Sequence, residues 1–347
     1  MPSLLNMDHV IMRLFEALRT SESVESLECK PVVRLLSYLR NAPLFIAAAA
    51  KLTLSSKPIN DIMDSMDDDT VRMWIKELVK RGHGTPLEHG IYSFEITCSR
   101  VASHQIIRHR IASYTQVSQR RGDKIMRSLV REASKYIGLE LPKKPRNRDG
   151  YVLYSKIINE VIESAREWDK VLNIVCKAFI IPPRIYREKD LEYIKRLLRG
   201  LRDYYKALAN GYHPEDARFL LPQAVKTRLY VTMNARELIE NFLPLRMCNH
   251  AQWEIRYIAW SLWSQLRQVH PILFDYAGPR CILYENRVRR EPCTLKDFLE
   301  GKCEFVIERC PELVSSKNIP GCIKAASIDL WDNRSFLANL IQEKCRC

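Results

Sequence analysis

The chain has 347 residues, 46% of them hydrophobic and 28% charged, with a formal net charge of +14. That length makes one large domain or two smaller ones, and the hydrophobic share supports a real core. The charge excess implies anionic partners (phosphates, nucleic acid or an acidic surface) unless it is Lys and Arg enrichment on a solvated surface. The most apolar stretch, Leu44 to Leu54, has the length of a core helix, so no run spans a membrane. The start, MPSLLNMDHV, has no basic or apolar region of a secretion signal, and a cytoplasmic location is expected.

Residues 1–29 are polar and weakly amphipathic and predict an extra helix. Pro31 to Tyr38 begins β-branched and alternates, which predicts a strand. Pro43 opens an Ala-rich helix to Lys51. Asp67–Asp69 form an acidic first turn before Val71, Trp74, Ile75, Leu78 and Val79, a helical stripe that stops at Gly82. Ile91 to Thr97 alternates as a strand, and a helix carrying His104, Gln105 and Arg108 follows. Residues 122–178 are rich in Lys and Arg, with a loop over Leu141 to Gly150 between helical stretches. Leu191 to Leu208 is a basic amphipathic helix stopped by Asn210-Gly211, and Pro214 starts another. Thr227 to Thr232 predicts a strand, Asn234 an N-cap, and Ala251 to Val269 a long helix with three tryptophans. After Cys281 the pattern breaks into short pieces. These elements predict an α/β (α+β) fold with a mixed sheet flanked by helices.

Eight of the 11 cysteines lie at or after Cys248, and none forms a CxxC pair. A zinc ribbon is poorly supported and no metal site is expected. Most of these cysteines read as small buried hydrophobes, with disulfides in the tail as the alternative. Neither a GxGxxG nor a GxxxxGK motif occurs, so any cofactor must be held by side chains and helix ends.

Three polar islands stand out. They are His83-Gly-Thr-Pro-Leu-Glu-His89; Gln105 through Arg121, which includes RHRIASYTQVSQRR; and Ala217 through Glu254, with Arg218, Asn234, Arg236 and Arg246. Each has an ordinary explanation: His83 and His89 as caps, Arg218 reaching solvent, Asn234 as a cap alone, Arg246 paired with Glu254. Together they suggest more, because arginines in apolar neighbourhoods are costly without an anion and their planar fork matches phosphate and carboxylate. No strong protein nucleophile accompanies them, so an enzyme here would rely on a cofactor.

At these residues the sequence resembles the flavin-dependent thymidylate synthases. The family's RHR, seven residues, then Ser occurs as Arg108-His109-Arg110, IASYTQV and Ser118. RGHGTPLEH (81–89), PEDARFLLP (214–222), Asn-Ala-Arg (234–236), LRMCNHAQWEIR (245–256) and AGPRC (277–281) recur in family order. The resemblance implies a domain over 30–281 of the thymidylate synthase-complementing-protein-like fold. It has a basic helical insertion at about 122–178, an N-terminal extension 1–29 and a Cys-containing extension 282–347.

The implied reaction converts dUMP to dTMP, with methylenetetrahydrofolate as carbon donor, FAD as cofactor and NADPH as reductant. The implied assembly is a homotetramer with shared active sites, where buried arginines meet the ligands. Arg246 is the implied catalytic residue, favouring ionisation of uracil N3. Gln105, Arg108, Gln116, Val117, Ser118, Gln119, Arg120, Arg218 and Arg246 match dUMP-binding positions. Thr85, Arg108, His109, Arg110, Gln116, Asn234, Arg236, Asn241 and His250 match FAD-binding positions. Glu88 lines the flavin site, His83 lies near the folate and nicotinamide entry, and Thr53 matches a hydroxyl near the FAD phosphate. Arg121 departs from the family's Tyr. The span from Asn234 to Arg246 is one residue longer than the family pattern, which would turn a helix by about 100°, so a bulge must absorb it. It leaves open whether Glu240 or Asn241 takes the flavin-side place. A nucleic-acid-binding paralogue built on the basic insertion is the alternative, though nucleic acid is not the expected partner.

Overall fold

The computed structural model describes residues 29–120, 122–141, 147–338 and 340. The helix expected within 1–29, Arg121, the centre of the Leu141–Gly150 loop, and Cys345 and Cys347 fall outside the described residues, apart from Cys29 itself.

Strands β1 (Val32–Tyr38), β2 (Ile91–Ser99), β3 (Ala112–Gln116) and β4 (Lys226–Asn234) form a four-stranded sheet in the order β1-β2-β4-β3. Every neighbouring pair is antiparallel. The sheet is therefore not the mixed one expected. β2 and β3 point the same way across the helix Arg100–Ile106, but β4 slots between them and runs against both. Alternation decides the faces. Tyr92, Phe94, Ile96 and Cys98 of β2 and Leu229, Val231 and Met233 of β4 are buried, while Glu95, Arg228 and Tyr230 face outward.

The helix Trp253–Val269 covers the buried face of the sheet, with Trp260 and Trp263 fully enclosed. Both indole N–H groups find carbonyls, those of Met247 (3.1 Å) and Phe274 (3.0 Å). Gln265 on this helix accepts from Leu35 N and donates to Val33 O, so its amide completes the edge of β1. The helix Asp68–Arg81 has the expected ends. Asp67 accepts from Thr70 N at 2.8 Å, Lys80 and Arg81 close the last turn, and Gly82 takes a left-handed φ of 65°.

A second apolar core lies among the helices Lys124–Tyr136, Arg148–Ser164, Trp168–Cys176 and Leu191–Ala209. It runs on to Leu221 and Val225, past residue 178, because the Leu191–Ala209 helix packs its apolar stripe on Arg148–Ser164. Residues after 281 do not hang free of the sheet domain. Leu295, Phe298, Ile319, Ile323 and Leu337 are buried in its core. The tail also reaches the second unit, where Trp331 Nε1 donates to Ile181 O at 3.1 Å. Disulfides join Cys29 to Cys176 and Cys293 to Cys303. No helix among the described residues is long and apolar enough to cross a membrane.

Candidate active site

Past the cap of Asn234, whose Oδ1 accepts from Glu237 N at 2.8 Å, the backbone runs as a π-helical segment over Glu237–Phe242. This is the bulge that the extra residue demands. It leads into the short helix Leu243–Arg246, whose last residue is the arginine singled out in the sequence.

Arg246 donates from Nε to His109 Nε2 (3.0 Å) and from Nη2 to Gln105 O (3.3 Å). An arginine cannot accept, so His109 Nε2 is the acceptor and the ring proton sits on Nδ1. That nitrogen faces Glu237 Oε1 at 3.1 Å, and Asn241 Nδ2 donates to the other carboxylate oxygen at 3.0 Å. Tyr114 Oη donates to His109 O, and Phe242 meets the imidazole edge-on. His109 is buried with both ring nitrogens engaged inside the chain, one by Glu237 and the other by Arg246. Asn241 belongs to the same support. No carboxylate among the described residues pairs with Arg246, and burial lowers its pKa. Glu254, its ordinary partner on sequence grounds, is instead buried against Ser99, accepting from its N (2.7 Å) and Oγ (2.5 Å).

The predicted nucleotide residues cluster at the end of β3. Arg120 pairs with Glu215 at 3.2 Å, and Arg218 Nε donates to Glu215 O at 3.1 Å. Ser118 Oγ accepts from Arg120 N, Gln116 donates to Thr227 Oγ1, and Val117 and Gln119 line a small hollow beside Thr227. Arg100 joins them: burial first, then the like charge of Arg218, lowers its pKa. Of these three arginines only Arg120 is paired with the Glu215 carboxylate, Arg218 reaching the Glu215 main-chain carbonyl instead, and the Arg120–Glu215 pair is solvent-exposed and easily exchanged for an anion.

The expectation of arginines in apolar surroundings holds only in part: Arg246 and Arg218 are both intermediate, with burial lowering the pKa of Arg246, while Arg108, Arg110 and Arg120 are exposed. Arg108 and Arg110 lie past the end of the Arg100–Ile106 helix, and Arg120 in the turn after β3, and among the described residues all three stay exposed.

A cleft of about 820 Å³ collects Thr53, His83, Thr85, His89 and Arg236 with Met73 and Trp74. The 3-10 turn Thr85–His89 forms one wall because Gly82 reverses the chain just before it. Arg236 is held by Glu88 (2.5 Å) and Glu240 (3.0 Å), and Arg287 also reaches Glu240 (3.1 Å). A side chain at Gly84 would push aside the Arg236 guanidinium and the Glu240 carboxylate, which close over the glycine. Glu240 therefore stands on the cleft side and Asn241 on the His109 side. His250 is exposed and lines a different hollow, with Cys248 and Cys281. Sequence reading missed Arg100, Glu215, Glu237 and Arg287. Glu240, an acid set in an apolar run, was a usable signal for the carboxylate that holds Arg236 and Arg287.

The geometry defines a class: an antiparallel α+β protein with clustered cations, a wide cleft beside them, and a fixed, unpaired guanidinium. The chain belongs to the family described as Thymidylate synthase complementing protein, matched over residues 34–272. A flavin-dependent thymidylate synthase of Aeropyrum pernix is 45% identical over 305 residues, which cover 85% of this chain and 93% of the relative. One of Saccharolobus solfataricus is 38% identical, covering 89% and 98%. A looser structural likeness, TM-score 0.48 at 20% identity, is to a UMP/dUMP methylase PolB from Streptomyces cacaoi bound with 5-Br dUMP, covering 71% of this chain and 93% of that one.

Proposed function

We propose that this chain is a flavin-dependent thymidylate synthase, with dUMP as substrate, FAD as its flavin, methylenetetrahydrofolate as carbon donor and NADPH as reductant. The observation that carries the reading is Arg246, a half-buried guanidinium without a carboxylate, locked by His109 and Gln105. A fixed cation beside uracil N3 lowers the pKa of that nitrogen and makes C5 a better nucleophile. Because the cation is held before substrate arrives, little reorganisation is needed when the ring ionises.

Arg120, Arg218 and Arg100 would take the nucleotide phosphate by displacing Glu215, with Ser118 as neutral donor. The other side of the site fits an anionic flavin nucleotide. Arg108 and Arg110 are exposed and pair with no described acid, and Gly84 lets the backbone approach Arg236 closely. Bound FAD supplies the hydride. Thr53, Thr85, Asn234 and Arg236 would hold it, while His83 and His89 would face the entry of folate and nicotinamide.

The assembly is proposed to be a homotetramer with shared sites; the exposure of Arg108 and Arg110 next to the exposed apolar side chains of Ile107 and Ile111 supports a partner subunit covering them. The cytoplasm is the proposed location. Much of the basic helical unit is internally paired, Arg127 with Asp123, Lys170 with Glu167 and Arg184 with Glu188, which favours a solvated surface over a nucleic-acid stripe.

The absorption spectrum of the pure protein, with and without dUMP, tests both ligand sites together. A yellow protein whose flavin bands shift with dUMP, and that forms dTMP from the three substrates, is expected. Colourless protein that takes up no added FAD would sink the reading.

A further inference from the structure

The tail supplies a cation beside the wide cleft. Arg287 lies on the helix Arg280–Val288, beyond the residues that match the family, which end at 272. That helix packs on Asp68–Arg81, whose Lys80 and Arg81 line the cleft. Its C-terminal end is held from both sides. Fully buried Glu285 accepts from Val306 N (2.8 Å) and Ile307 N (3.1 Å) and pairs with Arg289 (2.8 Å). Glu291 meets Lys76 (2.7 Å) and Lys80 (3.4 Å) of the facing helix. Arg287 is thereby laid against the turn at Gly82, where a Cβ would stand 3.7 Å from its Nε.

From there Arg287 Nη2 donates to Glu240 Oε1 at 3.1 Å, while Arg236 Nε donates to Oε2 of the same carboxylate at 3.0 Å. Arg236 Nη1 donates to Glu88. Two guanidiniums thus face two carboxylates, and their charges cancel. The two acids differ in how they respond to an arriving anion. The Glu88 side chain is 45% exposed and can swing to water, whereas that of Glu240 is 14% exposed and needs a cation where it stands. With Arg287 removed, Glu240 would keep only Arg236 of the two guanidiniums, and a phosphate approaching Arg236 would meet an unbalanced negative charge. With Arg287 in place, Glu240 has a cation of its own while Arg236 turns to the phosphate.

We propose that Arg287 is a positioning residue for flavin binding: by neutralising Glu240 it frees Arg236 for a phosphate of the flavin nucleotide. The proposal rests on the reading of the cleft as the flavin site. It gives residues outside the family match a part in holding the cofactor.

The test is FAD binding to the full chain stripped of flavin, followed by the change in flavin fluorescence. Arg287→Ala should raise the Kd for FAD about tenfold, the size expected for one uncompensated charge near a protein surface. Arg287→Lys should stay within about threefold of the wild type, since an ammonium restores the charge. The double variant Arg287→Ala/Glu240→Gln should also return to within about threefold, because the carboxylate that Arg287 neutralises is gone. Lost tail packing would instead leave the double variant as weak as the single one. Melting curves establish that each variant is folded, and Arg287→Gln takes the place of Arg287→Ala should the latter not fold. A Kd for Arg287→Ala within about twofold of the wild type, or no recovery in the double variant, would overturn the proposal while the wild type still binds FAD. A wild type that binds no FAD would overturn the flavin reading and this inference with it.

Discussion

At the scale of single residues the site rests on Arg246. Arg246→Ala should lower kcat for dTMP formation by roughly 10²–10³ with a small change in Tm, the range for losing one fixed charge stabiliser. Arg246→Lys should recover only part, because one ammonium cannot reach both His109 Nε2 and Gln105 O. Steady-state kinetics beside a melting curve separate the two effects. Glu254 gives a prediction in pH. Burial, opposed by the two bonds from Ser99, raises its pKa from 4.5 to about 7. Between those values the folded chain keeps a proton that the unfolded chain has lost. Stability from this group is therefore full at low pH and falls as pH rises to about 7, by roughly 2–4 kcal/mol. Glu254→Gln should remove that slope, so the Tm advantage of the wild type shrinks from about pH 5 to about pH 7.5. A constant difference would disprove it. The arginines were legible in the sequence because residue type and spacing are local. Glu237 was not, since its role depends on His109, 128 positions away in the chain.

At the scale of elements the π segment Glu237–Phe242 governs the site. Its extra residue places Glu237 and Asn241 on one side, toward His109, and Arg236 and Glu240 on the other, toward the cleft. Deleting Ile239 should restore an ordinary helix and turn Arg246 by about 100°. We expect dTMP formation to fall more than 100-fold while circular dichroism keeps the helix content. Activity within tenfold of wild type would contradict this role. Long elements with caps and strong periodicity, such as Asp68–Arg81 and Trp253–Val269, could be read from sequence alone. β3 could not. Its five residues carry no strong apolar alternation, and only pairing with β4 makes them a strand.

At the scale of the whole molecule, two cores are tied by few but long-range links. The Cys29–Cys176 disulfide closes a span of 147 residues and joins the start of the described chain to the helical unit. Its removal should cost about 2–5 kcal/mol, seen as a lower Tm for Cys29→Ser than for the wild type under non-reducing conditions; equal melting would show the link to be dispensable. The sequence suggested disulfides in the tail, but pairing is a property of the fold and Cys29 carried no local signal. Nor could composition show that the tail is core, because its apolar residues are scattered among loops.

That tail has a consequence for how the protein comes into being. Lys30 meets Asp329 at 2.8 Å, and Trp331 packs on Trp253 and Tyr257 while bonding Ile181. Among the earliest described residues and among the latest are partners in the same seam. A ribosome must therefore release nearly the whole chain before the sheet core can close, although the helical core ends at Val225 and can form earlier, and the nascent protein leaves the exit tunnel with apolar surface of the sheet core still bare. Final assembly is post-translational, and the cell's chaperones meet this chain with its last seam open.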